Sequence, residues 1–216
     1  MSSFPPPDGL ITVPHDRAAE AAGALAEAFL REPVTSVFFP PEEGRRTESL
    51  RAMFEWAIDY RLRVGMPVLA VEDAGRIVGA ATMRFPGQEA LPRFAEEAWE
   101  SVVRIAGPEA EARMEVYSEI QKRNLPASAH HFLVAIGTRP GAQGRGFGGR
   151  LLRGVQQVCL RDTSSSGVSL DTASDKNVEI YRRFGFEVYA SEPFESVEIR
   201  FMFWPRSARL DSPGAP

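Results

Sequence analysis

The sequence predicts a mixed α/β fold: a mostly antiparallel central sheet with flanking helices and a pair of helices inserted between the third and fourth strands. Three observations predict it. The hydrophobic period switches repeatedly between 3.6 and 2. A β-α-β stretch surrounds a glycine-rich loop in the second half of the chain, and alternating segments on either side of it read as hairpins. With 216 residues, 44% of them hydrophobic, the chain can bury one sizeable core but is short for two. One domain is expected over residues 10–204, with flexible tails rich in Pro, Ser and Gly at 1–9 and 205–216.

"LITV" from Leu10 reads as a short strand, after which Asp16 can cap a helix that turns Ala18, Ala22, Leu25, Ala26 and Phe29 to one face. Beyond the "FFPPEEG" turn, Leu50, Met53, Phe54, Ala57, Ile58 and Leu62 recur at helical spacing up to Gly65. "PVLAVED" and "IVGAATMRF" then form a hairpin about a Gly-containing turn. From Gln88 to Leu125 the pattern is helical, with Leu91, Phe94, Ala98, Trp99, Val102 and Ile105 as one stripe. After a break at Gly107-Pro108, Met114, Tyr117 and Ile120 form another. "HHFLVAI" is an apolar strand, "GGRLLRGVQQVCL" a helix, "GVSLD" a buried strand, "NVEIYRRF" a short helix, and "EVYASEPFESVEIRFMFW" a closing hairpin. One right-handed crossover is expected at the centre.

Charge and composition exclude several classes. A net charge of −4 and a pI near 5.5 leave no general basic surface for nucleic acid or anionic lipid. Cys159 is the single cysteine, so no internal disulfide forms. The N-terminus lacks a secretion pattern and no stretch approaches 18 apolar residues, which points to a cytoplasmic protein. No Cys or His cluster has ligand spacing, and no metal is expected.

"GRGFGG", Gly144 to Gly149, matches the dinucleotide pattern G-x-G-x-x-G. A dinucleotide turn places its first glycine directly at a strand end, whereas "TRPGAQ" intervenes here. Asp171, some 20 residues on, would suit a ribose hydroxyl, yet the segments after it are mostly antiparallel in pattern. The nucleotide triphosphate loop fails because no Gly-Lys-Ser/Thr follows.

Gln143, Gly146 and Gly148, in Gln-x-x-Gly-x-Gly after an apolar strand and Arg-Pro, resemble the acyl-coenzyme A signature of the GNAT superfamily of N-acyltransferases. "NVEIYRRFGFE", Asn177 to Glu187, is similar to that family's Asn-x-x-x-Tyr helix with Gly-Phe at the next strand. The resemblance covers Phe132 to Glu187; the 88–125 helical pair lies outside the minimal family pattern. It implies acetyl-CoA or another short acyl-CoA as co-substrate and a primary amine, small-molecule or peptide, as acceptor. It also implies that Ile136, Gly137 and Thr138 bind the pantetheine amides and polarise the thioester, that Asn177 bonds the cofactor, and that Tyr181 protonates the departing thiol.

The residues suit that chemistry. Gln143, Gly144, Arg145, Gly146, Phe147, Gly148 and Gly149 offer a pyrophosphate free N–H groups at a helix start, which carries about half a positive charge. No Asp or Glu occurs between Pro126 and Arg161, while Arg139, Arg145, Arg150, Arg153 and Arg161 are cationic; Arg145 is the expected phosphate neighbour. An alkyl ammonium lies about 3.4 pKa units above pH 7, roughly 4.6 kcal/mol from its free amine. The thiol needs only about 1.5 units, or roughly 2 kcal/mol. The base should therefore matter more than the acid. His131 or its neighbour His130 begins the strand that often carries a carboxylate base in this family, a histidine being a departure from that pattern; Glu72 and Glu119, acting through water, are further candidates. Two other readings stay open at this point: a non-catalytic acyl-CoA sensor module, against which Tyr181 argues, and a nicotinamide oxidoreductase. The apolar terminal hairpin would support a homodimer.

Overall fold

The computed structural model describes residues 5–39, 43–88 and 90–208, the side chain of residue 43 aside. The ends of both tails and the middle of the "FFPPEEG" turn lie outside them. The elements run β1 (Ile11–Thr12), α1 (Ala18–Phe29), α2 (Pro33–Phe38), α3 (Glu43–Arg63), β2 (Leu69–Asp73), β3 (Arg76–Arg84), α4 (Arg93–Ala106) and α5 (Pro108–Asn124). They continue with β4 (His131–Thr138), α6 (Phe147–Arg161), β5 (Gly167–Thr172), α7 (Asp175–Arg182), β6 (Glu187–Phe194) and β7 (Val197–Pro205). One seven-stranded sheet has the order β1-β2-β3-β4-β5-β7-β6. All its pairs are antiparallel except β4 with β5. A single parallel pair excludes the doubly wound parallel sheet that a dinucleotide site requires.

Alternation along the strands sends side chains to two cores. Ala70, Ala80 and Phe201 face α1 to α3, while Leu69, Ala81 and Met202 face α6 with Leu151, Val155 and Val158. The β2–β3 hairpin turns at Ala74 and Gly75, both with positive φ, as a tight two-residue hairpin demands. The helical pair stands where it was expected. α4 packs on α3, and α5 on α2 and β6, so the pair walls one side of the molecule.

Several local expectations are corrected. Asp16 does not cap α1, because His15–Arg17 forms a 3-10 turn and the helix start has no side-chain cap. α2, a six-residue helix, is too short for periodicity to reveal; Glu32 caps it by accepting from Thr35 N at 3.0 Å, with Pro33 at its first position. On α4 the buried residues are Ala95, Val102 and Ala106, while Leu91 and Ile105 are exposed. The true stripe is thus rotated about one residue from the expected one. Of the expected N-terminal tail, Pro7 is buried and Pro5 O accepts from Arg161.

Candidate active site

β4 and β5 pair only through His131 with Val168 and Phe132 with Ser169, and then part. From Leu133 to Thr138 the β4 edge that faces β5 therefore has no strand partner, while its other edge stays bonded to β3. Gly137 lies in this stretch, and a Cβ there would meet the Ala28 Cβ of α1 at 2.6 Å. The close approach of α1 requires glycine.

Past β4 the chain turns through Pro140–Ala142 into the glycine loop. Gly144 and Gly146 have φ of +76° and +79°, where a side chain would be strained. Gly146 is the N-cap of α6, and the N–H groups of Gly144 to Gly149 make no backbone hydrogen bond among the described residues. This loop offers free N–H groups to an anion, and the bare β4 edge offers unpaired backbone groups to an extended amide chain.

Both border a cavity of about 1110 Å³. Ile136, Gly137, Thr138, Gln143, Gly144, Gly146, Phe147, Gly148, Gly149, Asn177 and Tyr181 all line it, so the structure brings these sequence-selected residues together. Ser174 caps α7 by accepting from Asn177 N, which sets Asn177 and Tyr181 one turn apart on the cavity side. Burial pushes the Tyr181 phenol well above its ordinary range, helped by the negative fields of Asp171 and Glu32, so it stays protonated.

Other candidates fall away from the cavity. His131 is fully buried in the central strand, with Nδ1 at 2.9 Å from Ser165 Oγ, Nε2 at 3.4 Å from Asp162 and the Phe85 ring against it. Burial lowers its pKa to about 4. It lines no part of the cavity and is not placed to be a base. His130 lies against Ser128 O and the Phe203 ring. Glu72 is paired with Arg17, and Glu119 with Lys122 on the surface. Arg145 extends outward to a bidentate pair with Asp73, at 2.6 and 3.0 Å, and is absent from the cavity wall. Arg139 pairs with Glu27 and bonds Ile77 O at 3.1 Å. Lys176 and Arg183 of the α7 region also border the cavity.

His131 instead sets an acid limit on stability. The unfolded chain binds its proton near 6.5 and the folded protein only near 4. Stability is therefore lost as pH falls from about 6.5 toward 4, by about 3 kcal/mol in total. In urea unfolding at pH 7 and pH 4.5, His131→Gln should be less stable at pH 7 and lose less between the two; an equal loss in both proteins would refute this role.

The second half of the cavity could not be read from the chain. Glu32 and Asp171, 139 positions apart, both line it. Asp171 accepts from Tyr117 Oη at 2.5 Å and from Gln121 Nε2 at 2.6 Å, so the inserted helix α5 occupies both its oxygens. Burial raises the Asp171 carboxyl against those two bonds. Burial also raises Glu32, aided by the charge of Asp171 and opposed by the N–H groups of Thr35 and Val34. Glu32 Oε2 takes the Thr35 bond, and Oε1 accepts no side-chain hydrogen bond among the described residues. A half-buried carboxylate, a second carboxylate whose charge it feels and a protonated phenol thus share one cavity.

Comparison with known proteins agrees with this geometry. The model of the acetyltransferase (GNAT) family matches residues 31–186. No curated protein sequence matches. Among solved structures, a histone acetyltransferase HPA2 and related acetyltransferase from Corynebacterium glutamicum is 23% identical, with 99% of each chain covered and a TM-score of 0.69. A polyamine N-acetyltransferase of Drosophila melanogaster that forms N-acetylagmatine is 20% identical over 90% of this chain and 97% of its own, with a TM-score of 0.59. Arylalkylamine N-acetyltransferase 2 from Aedes aegypti is 11% identical over 92% and 98%, with a TM-score of 0.62. These identities establish a shared fold, and the family match spans 156 of 216 residues. The chain belongs to the GNAT acetyltransferase family.

Proposed function

We propose that the protein transfers an acetyl or other short acyl group from acyl-coenzyme A to a primary amine, by direct attack within a ternary complex. The observation that carries this reading is the convergence on one cavity of the unpaired β4 edge, the glycine loop, Tyr181 and Glu32. Structures of similar fold carry names that specify polyamine, agmatine and arylalkylamine acceptors, which supports an amine as acceptor.

In this reading the loop N–H groups and the α6 start hold the pyrophosphate, and β4 from Ile136 to Thr138 bonds the pantetheine amides and polarises the thioester carbonyl. Asp171 and Glu32 draw the ammonium inward. The Glu32 carboxylate takes its proton, and Tyr181 gives one to the departing sulfur. Arg145, held by Asp73, is not needed for the phosphates. A domain that only bound acyl-coenzyme A would have no use for the base and acid.

Calorimetric titration of the protein with acetyl-CoA, reduced nicotinamide dinucleotide being the control, tests the donor. One-to-one micromolar binding of acetyl-CoA alone is expected, and binding of the nicotinamide alone would overturn the proposal. Thiol release that depends on added amine then separates a transferase from a sensor.

A further inference from the structure

Arg61 lines the cavity, and the proposed reaction does not use it. It is 3% exposed, on the inner face of α3. Nη1 donates to Ala57 O at 2.6 Å and Nε to Met83 O at 3.2 Å, while Nη2 donates to no group among the described residues. The guanidinium lies 4.5 Å over the Tyr60 ring, but no carboxylate pairs with it among the described residues. A buried cation without a counter-charge is costly unless something neutralises it. Its surroundings raise that cost: Arg84, on the same cavity, pushes against it electrostatically. Thr82, also on the wall, has a buried hydroxyl with no hydrogen-bond partner. The cavity wall thus carries the carboxylates Glu32 and Asp171 as well as the Arg61 guanidinium, and Arg84 is felt by both Arg61 and Asp171. Between α3 and the inserted α4, Trp56 stacks near Trp99 and Tyr60, with ring centroids 4.6 and 5.0 Å away.

We propose that the acceptor is an amine that also carries a carboxylate, the amine lying toward Glu32 and Asp171 and the carboxylate accepting from the free Nη2 of Arg61. This deepens the amine acetyltransferase reading and rests on it. A guanidinium presents its donors in a planar fork that matches a carboxylate. A second ammonium in the same place would meet the Arg61 cation, so the assignment favours such an amine over a polyamine. The rings of Trp56 and Tyr60 on the same cavity wall suit an apolar body on that ligand.

The test is calorimetric titration of the full-length protein saturated with coenzyme A, using matched pairs: phenylalanine against 2-phenylethylamine, and 4-aminobutyrate against butylamine. At least one carboxylate member should bind about tenfold tighter or more than its partner, the scale of one hydrogen-bonded charge pair. Arg61→Met should bring the pair level, and Arg61→Lys should keep part of the preference. If Arg61→Met fails to fold, the wild-type pairs still decide. Level binding in both wild-type pairs overturns the assignment. A carboxylate can also arrive on the acyl donor, so succinyl-CoA is compared with acetyl-CoA; a preference for succinyl-CoA that Arg61→Met abolishes moves the carboxylate to the donor and overturns it as well. If acetyl-CoA itself does not bind, the amine acetyltransferase reading fails. If it binds while the pairs stay level, only the carboxylate assignment fails.

Discussion

Glu32→Gln is expected to lower kcat/KM for the amine by roughly 100-fold or more at pH 7, the range over which a positioned base contributes. The reason is the distance in pKa between an alkyl ammonium and neutral water, roughly 4.6 kcal/mol for one free amine, which a carboxylate on the cavity wall helps to cover. Burial holds Glu32 above the ordinary carboxylate range, so the wild-type rate should fall on acidification at a pH above that range, as Glu32 takes up a proton. The variant should lack that limb and regain rate as pH rises and free amine accumulates. Gln keeps an oxygen for Thr35 N, so α2 should stay capped and stability nearly unchanged. A variant with the wild-type rate and acid limb would exclude Glu32 as the base. Asp171→Asn offers a contrast: it keeps the shape that Tyr117 and Gln121 grip but removes the charge, so KM for a cationic amine should rise more than kcat falls.

Tyr181→Phe is expected to lower kcat by about 30-fold, the scale of the roughly 2 kcal/mol by which a departing thiolate lies above its thiol (pKa near 8.5) at pH 7. The phenol makes no side-chain hydrogen bond among the described residues and its ring packs on Phe186, so Phe should preserve the fold and KM for acetyl-CoA. Steady-state kinetics on both substrates, with melting temperature alongside, checks this. A kcat within twofold of wild type would leave Tyr181 a packing residue.

The donor half of the site was legible in the chain because it is local. Gln143 to Gly149 follow one strand and open one helix, and Asn177 and Tyr181 share a single turn of α7. Short spacings of glycine and polar residues carry that information. The acceptor half was not legible, since Glu32, Arg61, Tyr117, Gln121 and Asp171 meet only after the sheet forms. Two of them did leave signals. Glu32 precedes Pro33, a helix-start pair that marks α2. Arg61 falls four residues after Ala57 and seven after Phe54, on the buried stripe of α3, where a charge is out of place. His131 misled because a central strand covered on both faces buries every position near its start, histidine included. Asp171 was weighed for a ribose, and the partners that define it sit on α5, outside any family pattern.

The helical pair between β3 and β4 is a detachable wall. The bare strand edge, the glycine loop, α6 and α7 owe it no residue, whereas Tyr117, Gln121 and Trp99 come from it. Exchange of that one segment would therefore strip Asp171 of both its hydrogen-bond donors and reshape one side of the cavity, while the glycine loop, Asn177 and Tyr181 keep their places.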